Sequence, residues 1–364
     1  MPAMPIDLTD QKVFVLGAGV SGLAAARLLR HIGAIPIVVE DEDAARAKAS
    51  DIADSVLTMA EAEDALSEAA LVVTSPGIPP HHPFFTATTA ANVPVWGDVE
   101  LCWHVDKASL CGPSRVWLAV TGTNGKTTTV GMTTAICQQA GMSAVACGNI
   151  GYPIEEALLD PNHPDVLVCE LSSFQLHWAP SVKPLAGALL NIDEDHLDWH
   201  GSVEAYAADK TRVLNGLYAI VGLDDPRAAA AGDECSAQFV IGFRAGEPVR
   251  GQIGVHENGL FDNAFGPNDA ARFLIECADI HPAGPAGVLD AGAAAALAMA
   301  AGAMPQDVND ALKDFVVAPH RNAVVTTIDG ITYVDDSKAT NPHAARSSMP
   351  VSYTHLTLPT SDLV

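Results

Sequence analysis

The residues Thr121-Gly122-Thr123-Asn124-Gly125-Lys126-Thr127-Thr128 follow directly on the apolar run Trp117–Val120. A strand, a glycine-rich turn and a Lys-Thr pair opening a helix make a phosphate cradle. Backbone N–H groups face the anion, the helix N-terminus adds a favourable dipole, Lys126 supplies positive charge, and Thr127 can hold Mg2+. The ligand class is therefore a nucleoside triphosphate. The match to G-x-x-x-x-G-K-[ST] is incomplete, because Val120 stands where the first Gly belongs.

A chain of 364 residues predicts two or three domains. Ala and Gly are abundant and aromatics are 5% of residues, a composition suited to α/β layers with close helix–strand packing. The net charge of −25 argues against nucleic acid and anionic membrane as partners and fits a solvated, soluble surface. Seven cysteines, without a C-x-x-C pair, read as reduced and mostly buried thiols of a cytoplasmic protein. The N-terminus shows no basic, then apolar, signal pattern. The Ala-rich stretch Ala291–Met304 is too short to span a bilayer and reads as a buried helix.

The chain opens as a βαβ unit: strand Val13–Leu16, turn Gly17-x-Gly19-x-x-Gly22, helix Leu23–His31, strand Ile35–Glu40. A strand Ala70–Thr74 ends in Ser75-Pro76-Gly77, and a linker lies near Asp106–Ser114. Three continuous apolar runs, Trp117–Val120, Val166–Glu170 and Ala186–Ile192, predict a parallel sheet covered on both faces. A third segment starts near Ile331–Val334 and runs through Asp335-Asp336-Ser337-Lys338-Ala339-Thr340-Asn341-Pro342. The roughly forty-five residues from His320 are too few to bury an independent core. From about Val351 the text SYTHLTLPTSDLV loses the earlier patterning. The expected division is 1–108, a Rossmann-like domain; 109–318, a central ATP-binding domain; 319–350, the start of a truncated third domain; and 351–364, a non-native tail.

The Gly17–Gly22 turn is a dinucleotide fingerprint, with Glu40 and Asp41 at the end of the next strand placed for a ribose or base contact. Alone it does not separate NAD, and with it an oxidoreductase, from another nucleotide ligand. In open parallel sheets, ligands bind beyond the carboxyl ends of the strands. Three such ends carry metal-compatible groups: Thr127, Glu170 and His196. The hydroxyl and carboxylate suit Mg2+. Taken alone, His196 reads as a structural histidine rather than a metal ligand. Lys210 lies on the apolar stripe of a helix Ser202–Leu217, with Val203, Tyr206, Ala207, Val213, Leu214 and Leu217. It is either a snorkelling lysine or a functional one whose neutral amine takes up CO2 as a metal-ligating carbamate.

Taken together, TGTNGKTT, GNIG (148–151), ELSSFQL (170–176), NIDEDHLDWHG (191–201) and DDSKATNPHAA (335–345) resemble the Mur ligases. SPGIPP and the N-terminal glycine turn point to the branch that adds D-glutamate to UDP-N-acetylmuramoyl-L-alanine. The resemblance covers roughly residues 10–348. It implies ATP-driven amide bond formation in peptidoglycan synthesis, through an acyl phosphate, by a cytoplasmic monomer that neither enters membranes nor binds nucleic acid. Sister ligases of the family, folylpolyglutamate synthetase and a non-catalytic nucleotide-binding fragment are the rival readings.

By the resemblance, Gly122, Thr123, Asn124, Gly125, Lys126, Thr127 and Thr128 hold the ATP phosphates, and Thr127 and Glu170 hold magnesium. His196 and a carbamylated Lys210 serve a second ion, so that Lys126, Glu170, His196 and Lys210 carry the catalysis. Gly17, Gly19, Ser21, Gly22, Ser75, Pro76 and Gly77 face the UDP diphosphate and Glu40 and Asp41 the uridine, while Asn149, Ser172 and Ser173 face the muramoyl group. His320, Arg321, Asp336, Ser337 and Lys338 clasp ATP across the domain junction. Where the family has a His-Asn…Asn element, this chain reads Ala286-Gly287-Val288-Leu289-Asp290, which leaves Asp290 at the adenine side. Set against a shortened third domain, the resemblance predicts weak ATP–Mg2+ binding and little ligation by this chain.

Overall fold

Two parallel sheets account for most of the chain in the computed structural model, which describes residues 7–266, 270–318 and 323–339. The first contains β1 (Lys12–Leu16), β2 (Ile35–Val39), β3 (Ser55–Leu57), β4 (Leu71–Thr74) and β5 (Val95–Gly97), in the order β3-β2-β1-β4-β5. Helices α1 (Val20–His31), α2 (Asp43–Ala49), α3 (Met59–Asp64), α4 (Pro83–Ala90) and α5 (Asp98–Lys107) connect and cover it. β1 and β4 read as unbroken apolar runs because both faces are packed. The strand order reverses between β1 and β4. Their carboxyl ends therefore open a crevice where the Gly17 turn meets Ser75.

The second sheet starts with β6 (Val116–Thr121), which leads through the phosphate loop into α6 (Lys126–Gln139). It continues through β7 (Ala144–Gly148), α7 (Ile154–Leu159), β8 (Val166–Glu170), α8 (Ser173–His177), β9 (Ala186–Leu189), α9 (Leu197–His200) and α10 (Val203–Thr211). Then come β10 (Tyr218–Gly222), α11 (Pro226–Glu234), β11 (Phe239–Arg244), β12 (Gln252–His256), β13 (Gly259–Asp262), β14 (Arg272–Glu276), α12 (Pro285–Ala300) and α13 (Pro305–Lys313). The order is β14-β13-β12-β11-β10-β9-β6-β8-β7, with β13 and β14 antiparallel to their neighbours. β6 lies between β8 and β9, so the three strand ends singled out in the sequence are neighbours. The Ala-rich helix α12 packs flat on α6 and the sheet, with Ala291 and Ala293–Ala298 fully buried.

Several boundaries differ from the sequence reading. The helix expected over Ser202–Leu217 is α-helical only to Thr211 and tightens into a 3-10 turn over Arg212–Asn215. Gly216 then runs extended beneath the Pro184 carbonyl, where a Cβ would lie 2.1 Å from the oxygen. β9 ends at Leu189 rather than Ile192, because Leu190 onward turns to clasp the phosphate loop. In the third segment the expected strand is β16 (Ile331–Asp335), paired with β15 (Ala323–Ile328) in a separate hairpin. The expected loop end Thr340–Pro342 and the tail lie outside the described residues.

The two sheets join through α7, which packs against α1 and α5, and Arg27 of α1 pairs with Glu156 of α7. Beside that pair, Asp98 and Glu155 are both more than nine-tenths buried, and Glu155 Oε1 has no hydrogen-bond partner. Burial pushes the Glu155 carboxyl well up, and the Asp98 charge adds to this. Burial also raises Asp98, against hydrogen bonds from Val99, Gln175 and Ser21. A carboxyl raised in the fold gives up its proton later than in the unfolded chain. Stability is therefore full at acid pH and falls as pH rises from the ordinary carboxylate range through the raised value. Glu155→Gln removes that ionisation. It is expected to stabilise the protein by roughly 1 kcal/mol or more at pH 8 and to flatten the fall of Tm between pH 5 and 8. Thermal unfolding across that range checks it, and an unchanged slope would contradict the shared burial.

Candidate functional site

The loop after β6 is held by its neighbours before any ligand arrives. Asn191 Oδ1 accepts from the N–H groups of Thr123 (3.0 Å) and Asn124 (2.9 Å), and its amide donates to the Asn124 carbonyl (3.1 Å). The Thr123 hydroxyl bonds the buried Tyr206 hydroxyl at 2.9 Å. Burial, opposed by that bond, pushes Tyr206 up to about 12. Gly125 takes φ +89° at the N-cap of α6, in the left-handed region that favours glycine, and a Cβ there would lie 2.3 Å from Asp290 Oδ1. Asp290 thus closes over the loop, and the Thr129 hydroxyl donates to it at 3.3 Å. Lys126 Nζ donates to the carbonyls of Gly122 and Thr123, both at 2.9 Å. Thr128 is buried in the first turn of α6.

At the ends of β6 and β8, the Thr127 hydroxyl donates to Glu170 Oε2 at 2.7 Å, and Asn149 Nδ2 donates to Oε1 at 3.0 Å. Gly148, at φ +99°, brings the Asn149 segment so close that a Cβ would meet the Glu170 carbonyl at 2.3 Å. Lys210 is 2% exposed, with Nζ donating to the Gly122 carbonyl at 2.9 Å and lying 4.7 Å from the Tyr206 ring centre. Burial lowers it well below the ordinary lysine range. The Lys126 charge adds to this, against Asp195 and Glu170. Both effects disfavour the charged form of Lys210.

His196 stands at the rim with a left-handed φ of +51°. Its half-exposed ring packs on Phe174 (centroids 4.7 Å apart) and pairs with Asp195 at 3.6 Å. It makes no hydrogen bond to Glu170 among the described residues, so the structure joins Thr127 to Glu170 directly, while the His196 ring rests on Phe174. Ser172 and Ser173 open α8. Ser172 caps it by accepting from Gln175 N (3.1 Å), and the buried Ser173 hydroxyl meets His200 Nε2 at 3.0 Å.

In the first sheet Gly17 has φ +91°, and a Cβ on Gly22 would lie 2.0 Å from the Gly17 carbonyl, so these two glycines serve the turn itself. Gly19 and Gly77 have open space where a side chain would be. Ser75 Oγ donates to the Leu16 carbonyl, with Pro76 following in the half-buried loop. Ser21 turns to Asp98. Glu40 Oε2 accepts from Ala18 N at 2.9 Å, while Oε1 accepts from Asp41 N (2.9 Å) and Glu42 N (3.0 Å). Although partial burial pushes Glu40 up, these three N–H groups hold it below its usual range. Asp41 accepts from Met59 N at 2.9 Å.

Beside Thr127 and Thr128 lies a cavity of about 180 Å³, lined mainly by Gly131, Ala146, Ile150 and Phe315. Asp336 and Lys338 follow β16, where Asp336 O accepts from Ala339 N at 2.9 Å. Arg321 and His320 lie outside the described residues. Sequence reasoning missed the roles of Asn191, which clamps the loop backbone, of Tyr206, which bonds the Thr123 hydroxyl, and of Asp209, which meets His177 and His200. Asn191 and Asp209 sat inside or next to recognised motifs, but only the fold shows what they touch. Among the described residues no three His, Cys, Asp or Glu converge on one point to hold a metal. The oxygens of Thr127 and Glu170 nonetheless form the hard donor set that Mg2+ prefers.

Residues 120–264 match the Mur ligase middle domain, and residues 11–97 match the Mur ligase MurD-like N-terminal domain. UDP-N-acetylmuramoylalanine–D-glutamate ligase of Nocardia farcinica is 52% identical over 343 residues, covering 94% of this chain and 71% of the relative. The chain belongs to the Mur ligase family. The Mycolicibacterium vanbaalenii ligase of the same name is also 52% identical, over 93% of this chain and 69% of its own length. Among solved structures, MurF from Acinetobacter baumannii superposes with a TM-score of 0.59 at 18% identity, covering 93% of this chain and 70% of that one. UDP-N-acetylmuramate-alanine ligase from Thermotoga maritima superposes at 0.54 and 19%, covering 94% and 77%. These two likenesses show the shared Mur ligase fold. Mur ligases are ATP-dependent amide ligases of peptidoglycan synthesis, which places this chain among enzymes and removes the oxidoreductase reading of the Gly17–Gly22 turn. No described helix is long and apolar enough to cross a membrane.

Proposed function

We propose that this chain joins D-glutamate to UDP-N-acetylmuramoyl-L-alanine in the cytoplasm, at the expense of ATP and through an acyl phosphate. The observation that carries the reading is the Thr127–Glu170 contact at the mouth of the phosphate loop, with the buried Lys210 beside it. The ATP phosphates lie along Gly122–Thr128, and the apolar cavity beside Thr127 suits the adenine ring. On this reading Asp290, Asp336 and Lys338 would also contact ATP. The open faces of Gly19 and Gly77, with Ser75 and Pro76, take the UDP diphosphate, and Glu40 with Asp41 shape the uridine end. Asn149 and Ser172 border the muramoyl group, and the buried Ser173 supports this start of α8 from within.

Thr127 and Glu170 would hold one Mg2+, and His196 with a Lys210 carbamate a second. The metal supplies charge neutralisation on the transferring phosphoryl group. Lys126 swings from its loop carbonyls onto the phosphates. A carboxylate oxygen of the alanine then attacks the γ-phosphorus, and ADP leaves. The D-glutamate amine attacks the acyl carbon, phosphate departs with the bridging oxygen, and the amine gives up a proton. Most of the rate comes from holding the carboxylate in line and from fixed positive charge.

The test is ADP release with UDP-N-acetylmuramoyl-L-alanine, measured with D-glutamate, L-glutamate, L-alanine and diaminopimelate in turn. Release that requires D-glutamate supports the reading. Preference for another amino acid transfers the chain to a sister ligase.

A further inference from the structure

We propose that Asp209 is a positioning residue for this reaction, one carboxylate that ties together the three segments bearing Glu170, His196 and Lys210. The inference rests on the function just proposed and extends it to residues with no assigned role.

Asp209 immediately precedes Lys210 on α10. Its Oδ2 lies 2.8 Å from His177 Nδ1 at the end of α8, and 3.1 Å from His200 Nδ1 on α9. Its Oδ1 lies 3.1 Å from Arg212 of the following 3-10 turn. Arg212 in turn donates to the carbonyls of Leu176, at 2.9 Å, and His177, closing the end of α8. α8 begins three residues after Glu170, and His196 is the N-cap of α9. All three segments therefore converge on one side chain.

Chemistry fixes the direction of these bonds. A carboxylate only accepts, so Nδ1 of each histidine is the donor. When the His200 ring carries one proton, on Nδ1, Nε2 accepts and the Ser173 hydroxyl donates to it. The line Ser173–His200–Asp209 is thus polarised end to end, and Ser173 at the start of α8 is locked in one rotamer. All three side chains that meet Asp209 are donors to it: His177, His200 and Arg212. Ser173 is 2% exposed and Asp209 4% exposed, so this line is internal scaffolding and no hydrolytic triad.

Asp209→Asn keeps the volume but offers one amide oxygen where two carboxylate oxygens accept from three side chains. The expected result is a Tm within a few degrees of wild type, a kcat lower by about 10–100-fold, and a KM for the UDP substrate within about twofold. Asp209→Glu should return part of the loss. A second readout is independent of turnover: acetylation of Lys210 by acetic anhydride, mapped by peptide mass, rises several-fold relative to Lys107. A kcat loss that only follows the unfolded fraction, or unchanged Lys210 labelling in folded Asp209→Asn, overturns the proposal. Absence of D-glutamate ligation in the wild type strikes the function reading instead, and the labelling comparison then still judges the role of Asp209.

Discussion

Lys126→Ala is expected to lower kcat/KM by about 10²–10³-fold, with a change in Tm of no more than a few degrees. In the structure Lys126 spends its ammonium on the carbonyls of Gly122 and Thr123 in its own loop. The Gly122 carbonyl keeps its bond from Lys210 when the Lys126 amine is removed, so the loss costs the fold little. Its value arises only when charge builds on the transferring phosphoryl group, where a fixed cation acts at short range in a site shielded from water. Arginine should not substitute, because its planar fork presents donors in a different geometry from a compact ammonium. Steady-state kinetics with calorimetric ATP binding measure both parts. Wild-type turnover by Lys126→Ala would show that the loop does not handle the reacting phosphate.

Lys210→Ala is expected to lose about 10²-fold or more of kcat, and to regain part of it with millimolar formate or acetate. The buried amine sits in a pocket where its charged form is disfavoured by burial and by Lys126. On the proposed reading the amine, when neutral, would add to CO2, lose a proton and become an anion offering oxygens beside Glu170. Alanine leaves a cavity the size of the lost chain, and a small carboxylate can enter it and supply the missing oxygens. Lys210→Arg fills the same space with a permanent cation, so no added acid should restore it. Full activity in Lys210→Met would reduce Lys210 to a packing residue.

The parts of this molecule legible in its sequence are those in which function is local. The phosphate loop, the strand ends bearing Thr127 and Glu170, and the Gly17 turn are short motifs whose residue types and spacing are set by one ligand. The order of strands was not legible, since β8 and β9 flank β6 across long connections. The antiparallel β13 and β14 were missed, although the two-residue Glu257-Asn258 connection ahead of Gly259 is a hairpin signal. Asn191 was read as part of a motif and never as the clamp on Thr123 and Asn124. Asp209 was not singled out at all, because its partners come from three separate segments. Asp98 and Glu155 could not be recognised as a buried pair before the two sheets were placed side by side.

The central claim is that the alanine carboxylate is activated by phosphoryl transfer at the Thr127–Glu170 end of the phosphate loop. It is tested most directly with UDP-N-acetylmuramoyl-L-alanine carrying ¹⁸O in its carboxylate, incubated with this protein, Mg2+, ATP and D-glutamate. The account predicts that the inorganic phosphate released carries one ¹⁸O atom per amide formed. Amide product accompanied by unlabelled phosphate would contradict it.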